Sequence, residues 1–155
     1  MENSGIVTGM SVDDSANTDN CFYFVTTRET SKVELEFIFS SANGVDYFGL
    51  GKVAVISKNN LVINGNFDDM DQSAMMPTTE PWIISQCPTC SVEVNDGTNP
   101  DLSQSLICSG VPISVRQVIN LNTVGRRTVY RLKFSLGYKS GAGAKGSLIV
   151  KLKST

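Results

Sequence analysis

Histidine is absent from all 155 residues. With it go the commonest general base, the usual relay of a catalytic triad and the most frequent transition-metal ligand. Tryptophan occurs once, and charged residues make up only 18% of the chain, with 13 Lys and Arg against 15 Asp and Glu. Without a basic arm or face, no nucleic-acid partner is expected, and a capsid jelly roll that packages nucleic acid is disfavoured. Apolar runs stay short. Residues 22–25, 37–39 and 53–56 fall far below the roughly 18–20 apolar residues of a membrane helix, so no membrane insertion is expected. The opening MENSGIVTGM has no apolar h-region, so a secretory leader, if one is used, lies outside these residues. Also missing are amphipathic stretches of helical period longer than a turn or two, Gly-x-Ser-x-Gly, a phosphate loop and any run with metal-ligand spacing. Glu34 and Glu36 stand two apart but read as the solvated side of a strand rather than a carboxylate couple. No catalysis and no cofactor are expected.

What is present is 41% hydrophobic residues in a chain of single-domain length, enough for one core spanning residues 1–155. Apolar residues alternate with period two. Val33, Leu35, Phe37 and Phe39 alternate with Lys32, Glu34, Glu36 and Ile38, and Tyr130, Leu132, Phe134 and Leu136 with Val129, Arg131, Lys133 and Ser135. Leu148, Val150 and Leu152, and Ile113, Val115, Gln117 and Ile119, repeat the pattern. Each set reads as a strand with one buried face, which assigns Phe37, Phe39, Tyr130 and Phe134 to the core. Shorter strands are expected at 22–26, 52–57, 61–64, 82–86, 91–95 and 105–108. Turn residues separate them at Ser41-Ala42-Asn43-Gly44, Asn64-Gly65, Asp96-Gly97 and Ser109-Gly110, and the stretch 140–146 reads as a loop tip. About ten short strands with little or no helix predict an all-β fold, a two-sheet antiparallel β-sandwich or jelly roll.

Asn60-Leu61-Val62-Ile63-Asn64-Gly65-Asn66-Phe67-Asp68, followed after a loop by Trp82, resembles the opening of galactose-binding-like jelly rolls of the carbohydrate-binding-module type. Arg116-Gln117-Val118, the stretch from Gly125 to Phe134 and the strand from Gly146 to Leu152 look like that family's following strands. Its closing strands are similar to the start of this chain, in residues 33–39 and 47–55. Relative to the family, residues 1–57 resemble the second half and 58–155 the first. The resemblance therefore implies either a circularly permuted domain or a half-sandwich completed by, or completing, a neighbouring copy. The connection through residues 56–60 decides between them. The resemblance also makes Trp82 a core residue. It implies a structural calcium between the acid after Asn-Gly-x-Phe and an Asp pair, but Gly51 and Lys52 stand at the pair's positions. Asp68 and Asp69 are thus weak calcium candidates, and Lys52 is expected to stand in for the cation by pairing with one of them; the alternative leaves Lys52 in solvent.

Four cysteines in a lightly charged, Asn- and Ser-rich chain suit an oxidising compartment, and a secreted or cell-surface location is expected, although no Asn-x-Ser/Thr site occurs. Cys87-Pro88-Thr89-Cys90 admits three readings. A redox motif needs a helix N-terminus to acidify its thiol, and a four-cysteine zinc site needs Cys21 and Cys108 to converge on it. Two structural disulfides, the favoured reading, pair Cys108 with Cys87 or Cys90, and Cys21 with the other.

For a sugar site the aromatics not assigned to the core are Phe22 or Tyr23, Tyr47, Phe48 and Tyr138. Tyr47 and Tyr138 are the expected platforms, with Arg116, Gln117 and Arg131 as polar partners. Two functions follow. One is a noncatalytic extracellular sandwich that assembles with copies of itself by exchange or addition of strands, as in a filament or surface layer. The alternative is a carbohydrate-binding module for a polysaccharide or cell-surface glycan.

Overall fold

The computed structural model describes residues 6–12, 17–71, 73, 76–95, 105–121 and 126–155. Its strands are β1 (Ile6–Val12), β2 (Asn17–Thr26), β3 (Lys32–Ile56), β4 (Met70–Asp71), β5 (Met76–Pro77), β6 (Ile83–Gln86), β7 (Ser91–Asn95), β8 (Ser105–Ser109), β9 (Ile113–Asn120) and β10 (Thr128–Ser154). No helix occurs among the described residues. The fold is the expected all-β sandwich of two antiparallel sheets. The expected turn at Asp96-Gly97 and the motif residue Gly125 lie outside the described residues.

The two layers are built on one pair of strands. β3 and β10 pair with each other from Arg131–Ile56 to Ser154–Val33. The first part of β3 and the last part of β10 lie in one layer, flanked by β9 and β6 on one side and β1 on the other. The remaining parts lie in the second layer, flanked by β8 and β7 on one side and β2 on the other. Between the layers Val33, Leu35, Phe37 and Phe39 meet Tyr130, Leu132, Phe134 and Leu136, all buried. The Phe37 ring stands edge-on to Phe134 at 5.1 Å and tilted against Trp82 at 6.3 Å. Trp82, Phe37, Phe39, Tyr130 and Phe134 are core residues, as the sequence predicts.

Four expected strands are thus two. The stretch 140–146 is not a loop tip: β10 passes through it, and the ladder resumes at Lys145–Asn43 after leaving at Ser140–Val45. Gly141-Ala142-Gly143-Ala144 is extra length outside the register, a large bulge at the corner between layers, where small residues let a strand bend without losing its partner. A second bulge lies at Lys52, whose φ of 50° is rare for a residue with a side chain. Val53 and Val55 face inward, and so do Phe48 and Leu50. Side chains alternate strictly along a strand, so this change from odd to even positions requires one inserted residue.

The connection after β3 turns back. Ile56 and Asn60 form a β-bridge, Leu61 N–H donates to Val55 O at 2.9 Å, and Asn60 Oδ1 accepts from both Val55 and Val62 N–H. Each layer contains strands from both parts of the chain. Residues 61–64 are not the expected strand. In place of a neighbouring strand, the buried Gln117 amide accepts from Ile63 N–H and donates to Ile63 O, both at 2.9 Å.

The Asn64-Gly65-Asn66-Phe67 turn is a buried junction. Asn64, in the left-handed region, donates through Nδ2 to Thr78 O (2.8 Å) and Glu80 O (3.0 Å) and accepts from Asp69 N–H. Trp82 Nε1 donates to Asn64 O at 2.9 Å, and the fully buried Phe67 ring packs on Trp82 at 5.6 Å. Val53 N–H donates to Gly65 O, which places that backbone so close that a Cβ on Gly65 would sit 2.0 Å from Val53 O. Gly65→Ala is therefore expected to cost about 2 kcal/mol or more, a Tm drop of roughly 4–8 °C for a domain this size. The exposed neighbour substitution Asn66→Ala should stay within about 0.5 kcal/mol. Thermal melts of the two variants separate a backbone clash from a general intolerance of the turn.

Candidate functional site

The outer face of the second layer is hollow. Two adjoining concavities of about 340 and about 300 Å³ meet at Ile56. The first is lined by Asp19 and Asn20 of β2, Lys52 and Ala54 of β3, and Lys133 and Ser135 of β10. The second is lined by Tyr23, Ser57, Val129 and Arg131. The alternation that buries Phe24, Tyr130, Leu132 and Phe134 turns Tyr23, Val129, Arg131 and Lys133 outward. Register then sets them side by side: Tyr23 faces Arg131, Val25 faces Val129, and Ser135 faces Asp19. Tyr23 is 68% exposed and Val129 57%. Ser135 Oγ donates to Asp19 Oδ1 at 2.6 Å. The Lys52 bulge adds a third cation to Arg131 and Lys133.

The residues expected to hold sugar do not converge. Arg131 lies in the hollow. Arg116 is on the outer face of the other layer, between Glu36 of β3 and Ile83 of β6. Gln117 is withdrawn from any ligand because its amide is consumed by the Ile63 backbone inside the molecule. Tyr47 is half-buried near the corner, paired with Lys139. Tyr138 pairs with Phe48 through the backbone, and its side chain lies outside the described residues. Tyr23, one of two alternatives left unassigned at 22 and 23, is the aromatic at the hollow. The inward parity of Phe22, Phe24 and Thr26 was the signal that singles it out.

Lys52 faces the hollow, and no ion pair joins it to Asp68 or Asp69 among the described residues; both acids are exposed. No group of three or more His, Cys, Asp or Glu with the geometry to hold a metal occurs among the described residues.

The cysteine pairing differs from the expected one. Cys87 and Cys90 form a disulfide across a four-residue turn, with Cα atoms 5.0 Å apart and Cys90 N–H donating to Cys87 O. Cys108 and Cys21 are free. Cys108 points into the core from β8, whereas Cys21 points to solvent from β2, and both β10 and β3 stand between them. A staple between the halves of the chain is therefore absent, and the disulfide that forms is the local one.

Comparison with protein-family models, curated proteins and solved structures gives no match.

Burial pushes the Cys108 thiol from its ordinary 9.0 up to about 12. The folded state holds the thiol neutral where the unfolded chain would ionise it. This contribution to stability is complete below pH 9 and is lost as pH rises towards about 12. Wild-type Tm should consequently fall more steeply than that of Cys108→Ala between about pH 9 and about pH 11. In the native protein iodoacetamide should label Cys21 alone, and Cys108 only after denaturation, as read by intact and peptide mass.

Proposed function

We propose that this protein is a noncatalytic glycan-binding module, a galactose-binding-like jelly roll in circularly permuted order, working outside the cell. The observation that carries the reading is the open hollow over β2, β3 and β10, which combines an aromatic face at Tyr23 with apolar ground at Val129 and Ile56 and polar groups at its margins. Sugar rings pack their C–H faces on aromatic rings while their hydroxyls take hydrogen bonds from side chains around them, and a shallow hollow admits a chain from either end. Support for the family comes from the Asn64-Gly65-Asn66-Phe67 turn and Trp82, which act as one buried unit that the motif's residue types explain. Support for permutation comes from the turn at 57–60, which lets both parts of the chain serve one sandwich.

A second reading, assembly with copies of the chain, draws on β2, a ten-residue strand that pairs only with β10 among the described strands and so forms a sheet edge. Strand exchange gains little when a single chain already supplies strands to both layers, so only strand addition remains for this route.

Two measurements test the proposal. On a glycan array and by calorimetry the protein should bind at least one oligosaccharide, and Tyr23→Ala should weaken it about tenfold or more with Tm unchanged, because the side chain is exposed. Light scattering across a concentration series should give a monomer throughout. Growth of mass with concentration, together with an empty array, would replace the glycan reading by assembly.

A further inference from the structure

The two outer faces of the sandwich differ in how their charges are arranged. On the first layer the register sets opposite signs against each other: Glu36 stands between Lys151 and Arg116, and Glu34 stands beside Lys153. Ser114 Oγ also donates to Glu36 Oε2. There each acid has a cation for a neighbour, with Lys151, Arg116 and Lys153 beside Glu36 and Glu34. On the second layer the hollow gathers Lys52, Arg131 and Lys133 against the single carboxylate of Asp19, which already accepts from Ser135. None of the three cations makes an ion pair with a described residue. Arg131 and Lys133 project from the same side of β10 two residues apart, about 7 Å along the strand, with β3 carrying Lys52 about 5 Å to the side. The chain as a whole has a net charge of −2, so a cationic hollow runs against the sign of the molecule.

Resting on the glycan-binding reading above, we infer that the ligand is an acidic polysaccharide, one bearing carboxylate or sulfate groups along its chain. A sugar ring lies on Tyr23, and the anionic substituents of that ring and its neighbour take charge-assisted hydrogen bonds from Arg131 and Lys133. Arg offers a planar fork that matches a carboxylate or sulfate, and Lys a point charge. Lys52 completes the row. Its left-handed backbone is where strain is stored, and the bulge it forms aims the ammonium into the hollow. A neutral glycan would leave three cations desolvated at the contact without partners, which disfavours it.

Calorimetry with four probes tests this: hexagalacturonate, a chondroitin sulfate hexasaccharide, xylohexaose and cellohexaose. An acidic probe should bind about tenfold or more tightly than either neutral one, and weaken about fivefold as ionic strength rises from about 0.05 to about 0.5 M. Lys133→Gln should weaken the acidic probe about five- to tenfold, and Lys133→Arg should retain it. Lys133 is exposed, so both variants should melt with the wild type. Equal, salt-independent binding of neutral and acidic probes would overturn the acidic-ligand inference while leaving a glycan module standing. Binding of none of the four, with an empty array, would overturn both.

Discussion

The antiparallel ladder between β3 and β10 serves both layers at once, and each remaining strand of the sandwich is placed by it. β1, β2, β8 and β9 attach directly to one or other of these two strands, and β6 and β7 attach to those in turn. A ladder that long cannot lie flat and still bury its apolar face, so it folds over at the corner and presses one end against the other. Phe37 against Phe134 is that contact in miniature, between residues on different strands and in different layers. The cost of folding over is paid in register. Small residues at 141–144 and the Lys52 bulge absorb the mismatch: the first leaves even positions of β10 facing inward on both sides, and the second shifts the inward positions of β3 from Leu50 to Val53.

The same device shapes the surface. Parity makes the inner face, and therefore also decides which side chains face outward from β2, β3 and β10. The bulge that turns Val53 and Val55 into the core after Phe48 and Leu50 is also what presents Lys52 beside Lys133. Apart from Ser57, the residues that line the hollow lie on strands. Its floor is the back of the core, held by Tyr130 and Phe134, whose rings stack on Phe24 and Phe22 across the β2–β10 pair. The residues proposed to bind are thus carried on strands whose opposite face is the core, a favourable arrangement for recognition without induced change.

Much of this was legible because period-two alternation is a direct record of burial. The strands of residues 33–39, 113–120 and 130–136, and the core assignments of Phe37, Phe39, Tyr130 and Phe134, can be read from it, whereas Trp82 rests on the motif. What alternation does not record is continuity. Gly141 to Ala144 carries the residue types of a loop, and only partners distant in sequence make it a bend within a strand. Gln117 shows a related limit. It falls on the inward face of β9 by parity, yet an amide there looked like a ligand group, because the backbone of Ile63 that it satisfies is far away in the chain. The cysteine pairing differs from the expected one because shared position in one half of the chain says nothing of which face a side chain takes; Cys108 faces in, and the Cys87–Cys90 turn closes on itself. At the hollow, Arg131 is among the residues the sequence singles out, but Phe22 and Tyr23 stay equivalent there, because the pairing of β2 with β10 that sets Tyr23 beside Arg131 leaves no local mark in the sequence.

The dependence of both layers on one ladder also sets an order of events during synthesis. β3 emerges from the ribosome early, with its apolar residues at 33–39 and 48–55 uncovered, and its partner β10 follows only after β4 to β9 have been made. Until then, among the described strands, β3 has only β8 and β9 to pair with, short segments that cover part of it. Neither layer can close ahead of the other, so the nascent chain waits in a state with long sheet edges exposed, as high-contact-order topologies do. A chain built this way relies on being kept from its neighbours while it is being made, and gains its protection all at once when the last long strand arrives.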